Sequence, residues 1–259
     1  MTGTPLNFIV DHLDHQLGTA DTPDYSGAIN GLQVENRRPI ERVAVAVDAS
    51  LASIDGAIAC EAALLIVHHG LFWSGAVALR GAAYERLKRL VDHDIAVYSS
   101  HLPLDRHPTL GNNALLARAL GLVPSMPFAR FQNISVGVAG DSDIATTELA
   151  ARLERFAQNE GGRTVAIGVG PGHRTRRWAL CTGAGASTAS LQEARELGAD
   201  TLIVGEGPHH TGVEAQDTGL AIIYAGHYAT ETLGVRALGE EVQRTFGIPW
   251  SFVGMATGL

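Results

Sequence analysis

Apolar residues along the chain gather into short runs of strand length, and several of these runs are separated by amphipathic stretches with helical spacing. Runs at 42–47, 63–67, 95–99, 133–138, 164–169, 177–181, 201–205, 220–225 and 249–253 are too short for core helices. Several are rich in β-branched residues, so they read as strands. The intervening pattern predicts helices at 50–60, 84–91, 113–120, 146–156, 189–197 and 229–246. Ser50 stands where an N-cap belongs, and Gly121, Gly198 and Gly247 stand where helices stop. A further amphipathic stretch near the start carries Leu13 and Leu17, with His12 and His15 on its surface. Such alternation predicts two related α/β domains with mixed, largely parallel sheets. Pro124 and Pro127 fit neither a helix interior nor a central strand, which sets a boundary near 127.

Composition narrows the function classes. The 259 residues carry 19 Lys+Arg and 27 Asp+Glu, a net charge of −8, which argues against a nucleic-acid partner. Two cysteines, Cys60 and Cys181, cannot build a disulfide framework or a cysteine-rich zinc site. No basic segment leads into an apolar run at the start, and no apolar run reaches membrane-spanning length. A cytoplasmic protein without membrane contact is therefore expected. Thirty glycines, about 12% against roughly 7% typically, point to many tight turns or close backbone approaches.

The eleven histidines carry the chemistry, because several directly follow apolar runs. One strand ends in His68-His69-Gly70, and Gly70 is expected to give the chain the freedom to turn there. A second ends before His101, with Asp105 four residues on; Pro103 favours a rigid turn over a helix between them. A third ends at Gly226, with His227 and Glu231 spaced i, i+4. A helix starting there would bring those two onto one face. Open α/β sheets bind ligands beyond the carboxyl ends of their strands. Imidazoles with carboxylates and no thiolate suit zinc, manganese, iron, nickel or cobalt. These candidates outnumber the usual three ligands of one catalytic metal, which suggests two divalent ions per chain bridged by a carboxylate. His227 and Glu231 would then have to meet His68 and Asp105. That requirement assigns residues 1–127 plus 220–259 to a metal-binding domain and 128–219 to a second, with the metal site in the cleft between them. The turn Thr182-Gly183-Ala184-Gly185-Ala186 reads either as a tight strand-to-helix connection or as a phosphate-binding turn. Trp73 could stack on a ring or simply wall the cleft.

Taken together, these stretches resemble the dinuclear-metal family of GTP cyclohydrolase I type 2 homologues, also called NIF-three-like proteins. The resemblance runs through Asn30-Gly31-Leu32-Gln33, His68-His69-Gly70-Leu71-Phe72-Trp73 and His101-Leu102-Pro103-Leu104-Asp105. It continues through Gly111-Asn112-Asn113, Cys181 to Gly185, Gly205-Glu206 and Gly226-His227 to Glu231. The resemblance implies that His68, His69, Asp105, His227 and Glu231 ligate two metals, with Glu231 bridging. It implies that His101 transfers protons rather than ligating, and that the protein is a short form without an inserted domain. It also implies a homohexameric ring, a trimer of dimers. Glu206 departs from the aspartate common at that position, which leaves its role open.

The function expected is a dinuclear metal-dependent hydrolase, of GTP cyclohydrolase type or acting on another nucleotide or phosphate-bearing small molecule. The alternative is a non-catalytic metal-binding ring that serves as a scaffold or regulatory interaction protein.

Overall fold

The computed structural model describes residues 3–258; Met1, Thr2 and Leu259, at the outer ends of the stretches 1–127 and 220–259, lie outside the described residues. The chain forms two compact units, Met1–Leu104 with Gly234–Met255, and Asp105–Leu233 with Ala256–Leu259.

The first unit opens with α1 (Leu6–Leu17), which buries Ile9, Leu13 and Leu17, each four residues from the last. It continues through β1 (Gly31–Val34), β2 (Val43–Asp48), α2 (Leu51–Ala59), β3 (Leu64–His69), α3 (Ala82–Asp92) and β4 (Ala96–Ser99). The chain returns to this unit near its end through α10 (Thr232–Phe246) and β11 (Trp250–Phe252). The sheet order is β1-β4-β3-β2-β11. Only β1 runs antiparallel to its neighbour. Central strands of a covered parallel sheet are buried on both faces, which explains the unbroken apolar runs of β2 and β3. One face packs Leu65, Val67 and Val97 under Ile54 of α2 and Leu90 of α3. Ser50 caps α2 and exchanges bonds with Ser53 in a capping box.

The second unit carries α5 (Asn112–Ala119), β5 (Met126–Phe131), β6 (Ile134–Ala145), α6 (Thr146–Asn159), β7 (Val165–Ile167), β8 (Arg174–Cys181), α7 (Thr188–Glu196), β9 (Thr201–Val204), α8 (His209–Thr218), β10 (Ala221–Tyr224) and α9 (His227–Thr230). Its sheet order is β5-β6-β8-β9-β10-β7, with the β8-β9-β10 trio parallel. Trp178, Leu180, Ile203 and Ile223 form its core with Leu149 and Leu153 of α6. Pro127 sits in β5, an edge strand, where a missing N–H is tolerated.

Several elements differ from the sequence reading. β1, β5 and α8 carry no periodic apolar pattern and were not expected. A single helical turn, α4 (Leu102–Asp105), stands where Pro103 suggested a non-helical turn. Proline is tolerated there because N–H groups in a first turn have no intrahelical partner. The units divide inside α4 and again at 233/234 rather than at 127 and 219. The reason is strand pairing: β10 lies in register between β9 and β7, which carries His227 and Glu231 into the second unit with Asp105. Among the described residues no helix is long and apolar enough to cross a membrane.

Candidate metal centre

In the first unit, β2, β3 and β4 lie side by side and parallel, so their carboxyl ends emerge together. His68 and His69 close β3, and His101 follows β4 by two residues. The structure gathers the three imidazoles: one ring nitrogen from each lies within 4.8 Å of the other two. His68 is fully buried, while His69 and His101 are half-buried.

Each of these rings is fixed through Nδ1. His68 donates to the Ser100 carbonyl at 2.9 Å, His69 to Asp48 Oδ1 at 2.9 Å, and His101 to Asp24 Oδ1 at 2.9 Å. A backbone carbonyl and an ionised carboxylate can only accept, so Nδ1 must carry the hydrogen. In the neutral ring, Nε2 is then the lone-pair nitrogen, the tautomer a metal ligand needs. Asp48 pairs in register with His69 across β2 and β3, which sets the two side chains next to each other. Asp24 is more heavily engaged. Oδ1 also accepts from the Tyr25 N–H, and Oδ2 accepts from Asn30 and the Leu102 N–H. Burial would raise the Asp24 pKa, but the His101 hydrogen bond and charge, aided by Asn30 and Leu102, outweigh it and hold the carboxyl below its usual value.

The turn after His69 is held by Gln33. Its amide nitrogen donates to the Ala28 and Ile29 carbonyls, and its Oε1 accepts from Leu71 N–H. Gly70 is required for space and not for the backbone freedom anticipated, since its φ is not positive. A Cβ there would stand 2.2 Å from Gln33 Nε2.

The second unit repeats the arrangement with other residues. Cys181, Val204 and Tyr224 end the parallel trio in register. The turns that follow carry Gly183, Glu206 and His227. α9 is one turn long, and Glu231 lies just beyond it. His227 Nε2 and Glu231 Oε2 are 3.1 Å apart, and His227 Nδ1 donates to Glu206 Oε1 at 2.8 Å. Burial works against a charged His227, but Glu231 and then Glu206 outweigh it and push the pKa up to about 9. At neutral pH the metal-free ring is therefore protonated, and a cation would take the place of the Nε2 proton. Glu231 is 2% exposed and lies over Gly183, where a Cβ would stand 2.0 Å from Oε1. That carboxylate argues against an anion in the Gly183 turn and supports its reading as a tight connection.

Asp105 is buried in the same unit. Its Oδ1 accepts from Asn112 at 2.9 Å and from the Thr182 hydroxyl at 3.5 Å. Asn113 donates to the Asp105 and Val136 carbonyls and accepts from Thr182 N–H. Cys181 is a buried thiol whose pKa burial drives up, so it stays neutral.

Asp24, Asp48, Glu206, Asn112 and Asn113 had no role in the sequence reading, although three of them lie in quoted motifs. Other residues fall outside both clusters. His12 bonds Glu241, His173 bonds Thr146, and His209 and His210 are exposed at the start of α8. Arg174 and Arg177 lie in β8 and pair across the sheet with Asp143 and Asp141 of β6.

A family model described as Duf34/NIF3 (NGG1p interacting factor 3) matches residues 6–257. A Deinococcus radiodurans protein named GTP cyclohydrolase 1 type 2 homolog is 38% identical over 97% of this chain and 93% of its own. A Pyrococcus abyssi protein of the same name is 40% identical over 97% and 98%. Among solved structures, protein ybgI, described as of unknown function, superposes with a TM-score of 0.87 at 34% identity, covering 98% of this chain and 99% of that one. TTHA1606 from Thermus thermophilus superposes with a TM-score of 0.85 at 36% identity, with the same coverage.

Proposed function

The chain belongs to the Duf34/NIF3 family, and from that premise we propose that it is a metal-dependent hydrolase with a dinuclear centre. One observation carries the reading: His68, His69 and His227, each at a strand end, hold Nδ1–H against an acceptor-only group, the orientation that presents Nε2 to a cation. The donor set fits first-row divalent ions such as zinc, manganese, iron, nickel or cobalt. His68, His69, Asp105, His227 and Glu231 are the residues that would hold two such ions. Bound there, the ions would supply a water acidic enough to attack at neutral pH and positive charge for a substrate oxygen.

This chain's own residues do the rest. His101 holds its Nδ1 proton against Asp24 and passes a proton at Nε2, the role of a general acid and base. Gly183 leaves Glu231 the room it occupies. Asn112 and Asn113 fix Asp105 through its side chain and its carbonyl. The substrate class proposed is a nucleotide or another phosphate-bearing small molecule, in keeping with the name its relatives carry. The reading extends to a homohexameric ring in the cytoplasm, a trimer of dimers; light scattering that returns a monomer would remove the ring.

The test is metal content per chain, with turnover of GTP and simple phosphoesters, in the wild type, His68→Ala and Glu231→Ala. About two equivalents in the wild type, reduced in both variants together with turnover, is the expected result. Full metal content and unchanged turnover in Glu231→Ala would overturn the mechanism. Metal binding without turnover of any substrate would favour the scaffold reading.

A further inference from the structure

Two aromatic side chains stand exposed beside the half-buried imidazoles of the first unit. Trp73 is 38% and Tyr25 55% exposed. The Trp73 ring centroid lies 4.8 Å from that of His101 and 5.8 Å from that of His69, both in edge-to-face geometry. Tyr25 lies 6.1 Å from His101 and 6.4 Å from Trp73, tilted by 52° to the indole. Neither contact stacks the two rings on each other. Exposing this much aromatic surface forgoes a large burial gain, and such rings are common where a ligand covers them.

Both rings are mounted on the framework that orients His101. The Tyr25 N–H donates to Asp24 Oδ1 at 2.7 Å, the oxygen that also receives His101 Nδ1. Gly27 lies directly on the backbone of Trp73, where a Cβ would come within 2.7 Å of the Trp73 carbonyl oxygen. The segment bearing Tyr25 and the turn bearing Trp73 are thus in backbone contact, and both lead to the same imidazole.

We propose that Trp73 and Tyr25 form a binding subsite for a planar aromatic ring, the recognition end of a substrate whose reactive end lies at His101. Placing the reactive end at His101 rests on the hydrolase reading; ring binding does not. Two stacking distances of about 3.5 Å need roughly 7 Å, so a ring sandwiched between these two does not fit their 6.4 Å separation. The ligand instead stacks on one ring and meets the other at its edge, an arrangement aromatic rings favour. A fused heterocycle such as a purine satisfies this; a bare sugar phosphate does not.

The experiment is calorimetric titration of the metal-loaded protein with guanosine, adenosine and ribose 5-phosphate. It compares the wild type with Trp73→Leu, Trp73→Phe and Tyr25→Leu, with metal content and oligomeric state measured on each. Stacking is worth enough that each leucine variant should weaken nucleoside binding at least about fivefold, while Trp73→Phe keeps most of it. Ribose 5-phosphate affinity and metal content should not move. Wild-type protein that binds neither nucleoside at millimolar concentration, or leucine variants that bind them as the wild type does, would overturn the proposal. So would a Trp73→Leu variant that loses assembly but keeps nucleoside affinity, which would assign the rings to a subunit contact. Ring-dependent binding with no hydrolysis of any substrate would support the subsite and sink the hydrolase reading alone. Hydrolysis of ring-free phosphoesters, with nucleosides ignored, would do the reverse.

Discussion

Replacing Gly183 with alanine should separate the stability of the second unit from its chemistry. Two consequences follow from the geometry. Gly183 has φ +62°, and a Cβ in that region costs about 1–2 kcal/mol. The new Cβ would also stand 2.0 Å from Glu231 Oε1, 3.1 Å from its Cδ and 3.2 Å from His227 Nε2. The carboxylate oxygen must retreat by about 1 Å or more to restore van der Waals contact. A displacement of that size at a reacting centre costs about a hundredfold in rate. Gly219→Ala is the control, because its φ of +72° imposes similar strain while nothing lies within 4 Å of the added carbon. In chelator, both variants should lose about 1–2 kcal/mol, or roughly 2–8 °C in Tm. Only Gly183→Ala should then lose metal, by at least about tenfold in affinity, and turnover with it. Wild-type metal content and turnover in Gly183→Ala would refute the placement of Glu231 at the centre.

Other substitutions test neighbouring parts of the argument. Asp24→Asn should leave metal content intact and lower turnover by about 10- to 100-fold, because the amide can donate to His101 Nδ1 and select the wrong tautomer; an unchanged pH–rate profile would contradict this. Asn113→Ala strands the Thr182 N–H and two carbonyls in a buried site, and should cost on the order of 3 kcal/mol by denaturant titration; a loss under about 1 kcal/mol would show that water replaces the amide. The Arg244 hydrogen bond, against burial and with help from His12, lowers the Glu241 pKa. A lowered folded pKa gives stability that is present above the unfolded value of about 4.5 and lost as pH falls through the folded value, so Glu241→Gln should flatten the acid limb of the wild-type stability curve. An unaltered acid limb would show that the ion pair is not coupled to folding.

The strand-end histidines were legible in the sequence because burial on both faces makes β3, β4 and β10 unbroken apolar runs that stop abruptly at polar residues. The carboxylates behind them were not. Asp24 lies 77 positions from His101, and Glu206 and Asp48 each lie 21 from the histidine they orient. No local spacing rule connects residues that meet through strand pairing. Asp48 and Glu206 left a usable trace, each as an acid directly after an apolar run. His227 was assigned to the first domain because the metal-ligand requirement overrode the simpler expectation that β10 pairs with β9, the strand before it in the chain. Short elements failed differently. β1 has mixed burial and α4 is a single turn, so neither is long enough to show a period.

The Gln33 amide occupies the space a side chain at position 70 would need, and it makes three hydrogen bonds while doing so. Positions 33 and 70 therefore behave as one unit of inheritance. Bulk at 70 demands the loss of bulk at 33, and that loss releases the chain on either side of the latch. In a library randomised at both positions, tolerated changes should come as coupled pairs, and single replacements at 70 should be purged even when they leave every histidine and carboxylate in place.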